Sequence, residues 1–162
     1  MVLLDMGSFP RAVGKVFGCY HLDYASDICY NRYMTYEIIL PSGMQLQPDK
    51  YELHVAKVLA EYFKSDVRFI PKSNRPTPDI LVVSTGDEWE IKNIRGNGKH
   101  TIEDNLREAS RQSKNVVISL LKPTKMDTQR AVSRIDFFLG HGHRTLRRVI
   151  LVTKQGKVID IL

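Results

Sequence analysis

Cysteine is scarce in this chain, with Cys19 and Cys29 its only two. Two thiols supply neither the paired framework of a small disulfide-stapled domain nor the four ligands of a structural zinc site, and reduced thiols are the simpler expectation. Long apolar runs are missing as well. No stretch approaches the roughly 20 apolar residues that a membrane helix needs, so membrane insertion is not expected. The run from Met1 to Phe9 is too short and lacks the basic flank of a signal peptide, which points to a protein acting inside a cell. Internal repeats and low-complexity tracts are also absent, excluding solenoid architectures. Acidic charge is in the minority: 18 Asp and Glu against 24 Lys and Arg leave a formal +6. That balance favours a polyanionic partner, nucleic acid before a membrane surface. What is present, 162 residues of which 43% are hydrophobic, suffices for one well-buried core.

Residues 1–36 carry Tyr20, Tyr24, Tyr30, Tyr33 and Tyr36 with little periodicity. They read either as stacking platforms for unpaired bases or as a packing arm or oligomer contact, with the second preferred. Residues 1–46 are taken as an extension and 47–162 as the domain proper. Residues 36–40 predict a strand, closed by a turn at Pro41-Ser42-Gly43. From Pro48-Asp49 to about Phe63, Leu53, Ala56, Leu59, Ala60 and Phe63 recur at helical spacing. Glu52 borders that stripe near the helix start. It reads equally as a solvated glutamate favoured by the macrodipole and as a carboxylate serving a metal.

A short strand over 67–70 leads into a proline-interrupted loop, Pro71 to Pro78, that delivers the chain to Asp79. Residues 79–83 and 88–94 then read as an antiparallel hairpin. Thr101 is expected to cap a helix, with Asp104 in capping-box position, that runs to about Ser113 and buries Ile102, Leu106 and Ala109. Residues 115–121 form a continuous apolar run, as in a strand covered on both faces. A helix over 127–139, with Arg130 and Arg134 outward, precedes His141-Gly142-His143, read as a loop rather than a metal site. Two strands joined at Gln155-Gly156 follow.

The chemistry gathers between Pro78 and Lys99. Strand side chains alternate with period two, so Glu90 and Lys92 share one face while Trp89 and Ile91 take the other. A carboxylate and an ammonium on a buried strand are costly to desolvate. With Asp79 alongside on the neighbouring strand, two carboxylates and a lysine converge, a donor set suited to a divalent cation and phosphodiester cleavage. Residues 95–100 form a basic, glycine-containing loop. Lys99 and the first-turn amides of the helix after it are expected to face the spot beside Lys92, where a phosphate would suit a helix N-terminus. A well-capped helix after a solvated loop is the plainer alternative. Asn105, Glu108 and Gln112 recur along one face of that helix, either to reach phosphates and bases or to be solvated.

The order helix, strand, strand, strand, helix, strand, with Pro78-Asp79 on the second strand and Glu90-Ile91-Lys92 on the third, resembles the PD-(D/E)xK nuclease superfamily. Thr77-Pro78-Asp79, Trp89 to Lys92, Gly98 to Ile102 and Asn105 to Ile118 are, more narrowly, similar to the C-terminal toxin nuclease domain of CdiA-type contact-dependent growth inhibition proteins, the branch that cuts transfer RNA. The similarity covers residues 47 to the end and is strongest over 76–120.

The resemblance implies an α/β (α+β) fold: a restriction endonuclease-like αβββαβ core with a mixed sheet, to which an N-terminal extension and a C-terminal helix and strand pair are added. It implies a metal-dependent nuclease in which Asp79, Glu90 and the backbone carbonyl of Ile91 hold Mg²⁺, or else Mn²⁺ or Zn²⁺, with Glu52 completing or tuning the site. Lys92 would orient or activate the attacking water and offset charge on the phosphorane. Lys99, Thr101 and Asn105, with Gln112 and Arg95 beyond them, would hold phosphates. It further implies tRNA as the nucleic-acid partner, an immunity protein and a second copy of the chain as candidate protein partners, and the cytoplasm of a producing or target cell as the location. A DNA endonuclease of mobile-element or restriction type, and a non-catalytic nucleic-acid-binding module on the same fold, are the alternatives. The intact Asp79, Glu90 and Lys92 argue against the last.

Overall fold

The periodic segments fold much as their patterns require. The structure, a computed structural model, describes residues 36–42, 44, 46–141 and 145–162. The tyrosines at 20, 24, 30 and 33, both cysteines and His143 lie outside the described residues, and the readings placed on them go with them.

Seven strands among the described residues form one sheet in strictly sequential order. They are β1 (Ile38–Ile39), β2 (Val67–Phe69), β3 (Ile80–Val82), β4 (Asp87–Asn93), β5 (Asn115–Ser119), β6 (Arg148–Val152) and β7 (Val158–Asp160). The pairs β1–β2, β4–β5 and β5–β6 are parallel, while β2–β3, β3–β4 and β6–β7 are antiparallel. Adjacent parallel strands need a crossover, and a helix spans each one: α1 (Lys50–Phe63), α2 (Thr101–Ala109) and α3 (Thr128–Gly140). The expected αβββαβ order is therefore present as α1, β2, β3, β4, α2 and β5 in a mixed sheet, with β1 before it and α3, β6 and β7 after.

Period-two alternation sorts the core onto two faces. Trp89, Ile91, Val117 and Ile150 pack with Val55, Ala56, Leu59 and Ala60 of α1. Val116, Ile118, Val149 and Leu151 pack with Ile102 and Leu106 of α2 and with Ala131 and Ile135 of α3. Every residue of β5 is buried, as an apolar run covered on both sides demands. Leu53 and Phe63, expected in the α1 stripe, lie partly buried at its margin, and Val55 takes a core place instead.

The helix caps differ from expectation. The capping box sits at the start of α1: Asp49 Oδ1 accepts from the Tyr51 and Glu52 amides at 2.7 and 2.8 Å, and Glu52 Oε2 accepts from the Asp49 amide at 2.9 Å. At α2 the cap is His100, whose carbonyl already receives the Asp104 N–H at 2.9 Å, so Thr101 is the first helical residue and no side chain caps the end. Thr101 Oγ1 instead lies against the loop; a Cβ at Gly98 would stand a tight 3.2 Å from it. Helix α2 also stops at Ala109, short of Ser113. Arg134, expected outward, turns back to Glu103, a buried carboxylate on α2, at 3.2 Å. Its long stem lets the guanidinium reach that far.

Candidate active site

The β3–β4 hairpin sets the site. Ile80 stands opposite Trp89 in its register, so the residue just ahead of β3 falls beside the middle of β4. The Asp79 amide donates to the Trp89 carbonyl at 3.0 Å, and Asp79 Oδ2 accepts from the Ile91 amide at 2.7 Å. The carboxylate is thereby fixed against the backbone on either side of Glu90. Asp79 is 7% exposed and Glu90 only 3%.

Glu90 and Lys92 project towards the end of α2. Lys92 Nζ lies 3.1 Å from Glu90 Oε1 and donates to Glu108 Oε1 at 2.7 Å, while Gln112 Nε2 donates to Glu90 Oε1 at 2.8 Å. Glu90 Oε2 is buried and has no hydrogen-bond partner among the described residues. An ammonium near a helix C-terminus also meets the negative end of the macrodipole. These contacts correct one expectation: the last turn of α2 and the residues after it, not its first-turn amides, meet Lys92.

Electrostatics follow from burial and like charge. Burial, and next the negative charge of Asp79, push the Glu90 carboxyl up to about 7 against the pull of Lys92. Burial alone would lower the Lys92 ammonium, but the hydrogen bond to Glu108 and the charge of Glu90 outweigh it and hold the group above its ordinary value. Glu52 is raised, first by burial and then by Asp79, although the Asp49 amide opposes this. The negative charge of Asp79 thus acts on both Glu52 and Glu90.

The remaining expected residues divide. Asn105 spends its side-chain amide on the Thr101 carbonyl at 2.7 Å. Gln112, read as a phosphate contact, is bonded to Glu90. Arg95 and Lys99 are exposed on the loop before α2. Two residues escaped the sequence reading of the site. Glu108 was legible only as part of a polar helix face. Lys72, in the proline-interrupted loop, hydrogen-bonds and ion-pairs with Asp79 Oδ1 and donates to the Thr77 carbonyl at 3.3 Å. With Glu52, Asp49 and Asp79 it lines a cavity of about 290 Å³.

The donors fit a hard divalent cation in chemistry. They are oxygens, which suits Mg²⁺ or Mn²⁺ better than Zn²⁺, and Glu90 Oε2, without a hydrogen-bond partner among the described residues, has an acceptor site free for a cation. Among the described residues no three Asp, Glu, His or Cys side chains gather as a ready-made ligand cluster. The fit is therefore to an ion held by one or two carboxylates with water in its other positions, the usual manner of Mg²⁺.

The family model for the contact-dependent growth inhibition CdiA C-terminal domain matches residues 75–158, the span that holds Asp79, Glu90, Lys92 and all of α2. No curated protein matches the chain. Among solved structures it is similar to one described as the CdiA-CT/CdiI toxin and immunity complex from Burkholderia pseudomallei, at 19% identity and a TM-score of 0.53, over 75% of this chain and 97% of the other. At that identity the likeness shows the fold. Among the described residues no helix is long and apolar enough to cross a membrane.

Proposed function

The chain belongs to the contact-dependent growth inhibition CdiA C-terminal domain family, and from that premise we propose that it is a toxin-type, metal-dependent nuclease that hydrolyses phosphodiester bonds in tRNA, on a restriction endonuclease-like core. The observation that carries the reading is the buried Glu90, one oxygen without a partner, beside Asp79 and 3.1 Å from the Lys92 ammonium. A strand interior tolerates such a group only where something offsets its desolvation.

Asp79 and Glu90, with the Ile91 carbonyl, are the residues that would hold Mg²⁺ or Mn²⁺, and Glu52 tunes the site through its charge on Asp79. When bound, such an ion polarises phosphoryl oxygens and acidifies its own water. Lys92, kept as an ammonium by Glu108 and Glu90, offsets negative charge developing on the phosphorane rather than taking a proton from water. Glu108 and Gln112 position the pair, one holding the lysine and the other the carboxylate. Arg95 and Lys99, exposed on a basic loop, would meet flanking phosphates. The Burkholderia pseudomallei structure pairs a toxin with an immunity protein, and we extend to this chain a dedicated protein inhibitor of that kind.

The test is cleavage of total tRNA and of plasmid DNA, with Mg²⁺ and with EDTA, by the wild type and Glu90→Gln. Cleavage of tRNA should need Mg²⁺ and fall by more than about 100-fold in the variant, since losing a direct ligand exceeds the usual cost of losing a residue behind one. Cutting that survives both EDTA and the substitution would sink the metal-site reading. Cutting of plasmid alone would move the substrate to DNA, and no cutting of either by the wild type would leave a binding module.

A further inference from the structure

Lys72 stands outside the expected motif, yet its ammonium lies on a carboxylate expected to serve a cation. It lies on Asp79 Oδ1, the one oxygen of that carboxylate not tied to the Ile91 amide. Its positive charge also acts, more weakly, on Glu52 and Glu90. The loop that carries it is built to hold it there. Ser73 Oγ and Thr77 Oγ1 are 2.8 Å apart, both hydroxyls contact the Arg75 carbonyl, and Thr77 offers its own carbonyl to Lys72. Prolines at 71, 76 and 78 restrict the loop further. At the same time the lysine side chain is 45% exposed and borders the cavity of about 290 Å³. Water in the liquid occupies about 30 Å³, so the cavity has room for an ion with several waters and for the displaced ammonium.

We propose that Lys72 is a resident counter-cation of the acidic centre, which must leave Asp79 Oδ1 before a divalent cation can take that oxygen. This rests on the metal-dependent reading above. Without an ion, Lys72 spares Asp79 from standing unpaired beside Glu52 and Glu90. With an ion, Lys72 swings into the cavity. Cation affinity is therefore set by competition between the tethered ammonium and the free ion, and Lys72 is a positioning residue whose effect is read in binding.

Calorimetric titration of the metal-free protein with Mn²⁺ tests this, comparing wild type with Lys72→Met and with Lys125→Met, which removes the same charge from an exposed site elsewhere. Lys72→Met should bind Mn²⁺ at least about threefold tighter than Lys125→Met, as release from one partly exposed ion pair allows. A second measurement needs no variant: reductive methylation of the wild-type Lys72 amine, located by peptide mass mapping, should be slow without Mg²⁺ and several-fold faster with it. Equal Mn²⁺ affinity in the two variants, or a methylation rate at Lys72 that ignores Mg²⁺ in a protein that binds Mn²⁺, overturns the role of Lys72 and leaves the metal reading standing. No Mn²⁺ binding by the wild type overturns both.

Discussion

Glu90 carries its charge under strain from its surroundings, and pH should expose it. Its carboxyl titrates near 7 in the folded protein against an ordinary 4.5. Between those values the folded state holds a proton that the unfolded chain has released, so the group's contribution to stability is complete below about 4.5 and is lost as pH rises through about 7. In the metal-free protein the loss is on the order of 3 kcal/mol. Glu90→Gln has no such proton to lose. Its stability in denaturant titrations should gain steadily on the wild type from pH 5 to pH 8, and parallel pH curves for the two would refute the assignment. Glu90 and Lys92 could be read from sequence because period two puts them on one face and neither belongs on a buried strand without a task. Lys72 could not. Nothing in the spacing of a proline-rich loop tells whether a lysine turns outward or back, and here closure of the loop through Ser73 and Thr77 decides it.

At the scale of elements, α1 shows both what pattern determines and what it leaves open. Apolar spacing located the helix, while its end depends on a backbone conformation that composition hides. Lys64 closes α1 at φ 53° and ψ 47°, the left-handed region where a side chain costs about 1 kcal/mol or more. Among the described residues its ion pair is to Glu61 at 4.0 Å, which is exposed and adds little. Lys64→Gly should therefore raise stability by up to about 1 kcal/mol, seen as a higher melting temperature. An unchanged or lower value would mean that the freedom glycine adds to the unfolded chain cancels the relief. Helix α2 shows the converse. Its spacing continues to Ser113, but Ser113 Oγ donates to the Glu88 carbonyl at 2.8 Å and Gln112 turns to Glu90, so bonds to β4 override helical propensity after Ala109. Those bonds join residues more than 20 positions apart, which is why local pattern placed the helix but missed its last turn and the role of Gln112.

For the whole molecule, the formal +6 sets how a polyanion is held. Substrate affinity should fall linearly on a plot of log affinity against log salt, and Lys99→Ala or Arg95→Ala should each reduce that slope by about 1 without changing the cleavage position. Slopes identical to wild type would place the phosphate track elsewhere on the surface. The sheet was legible as a whole because each strand is bounded by turn or capping residues. Its two faces were not, since which helix covers which side depends on packing across segments far apart in sequence. The sequential order of the strands has a consequence for how the sheet is assembled. Among the described residues every strand from β2 to β7 pairs with its immediate predecessor, with no later strand inserted between them. Such a sheet can grow along the chain, each new strand adding to an edge that its predecessor already presents.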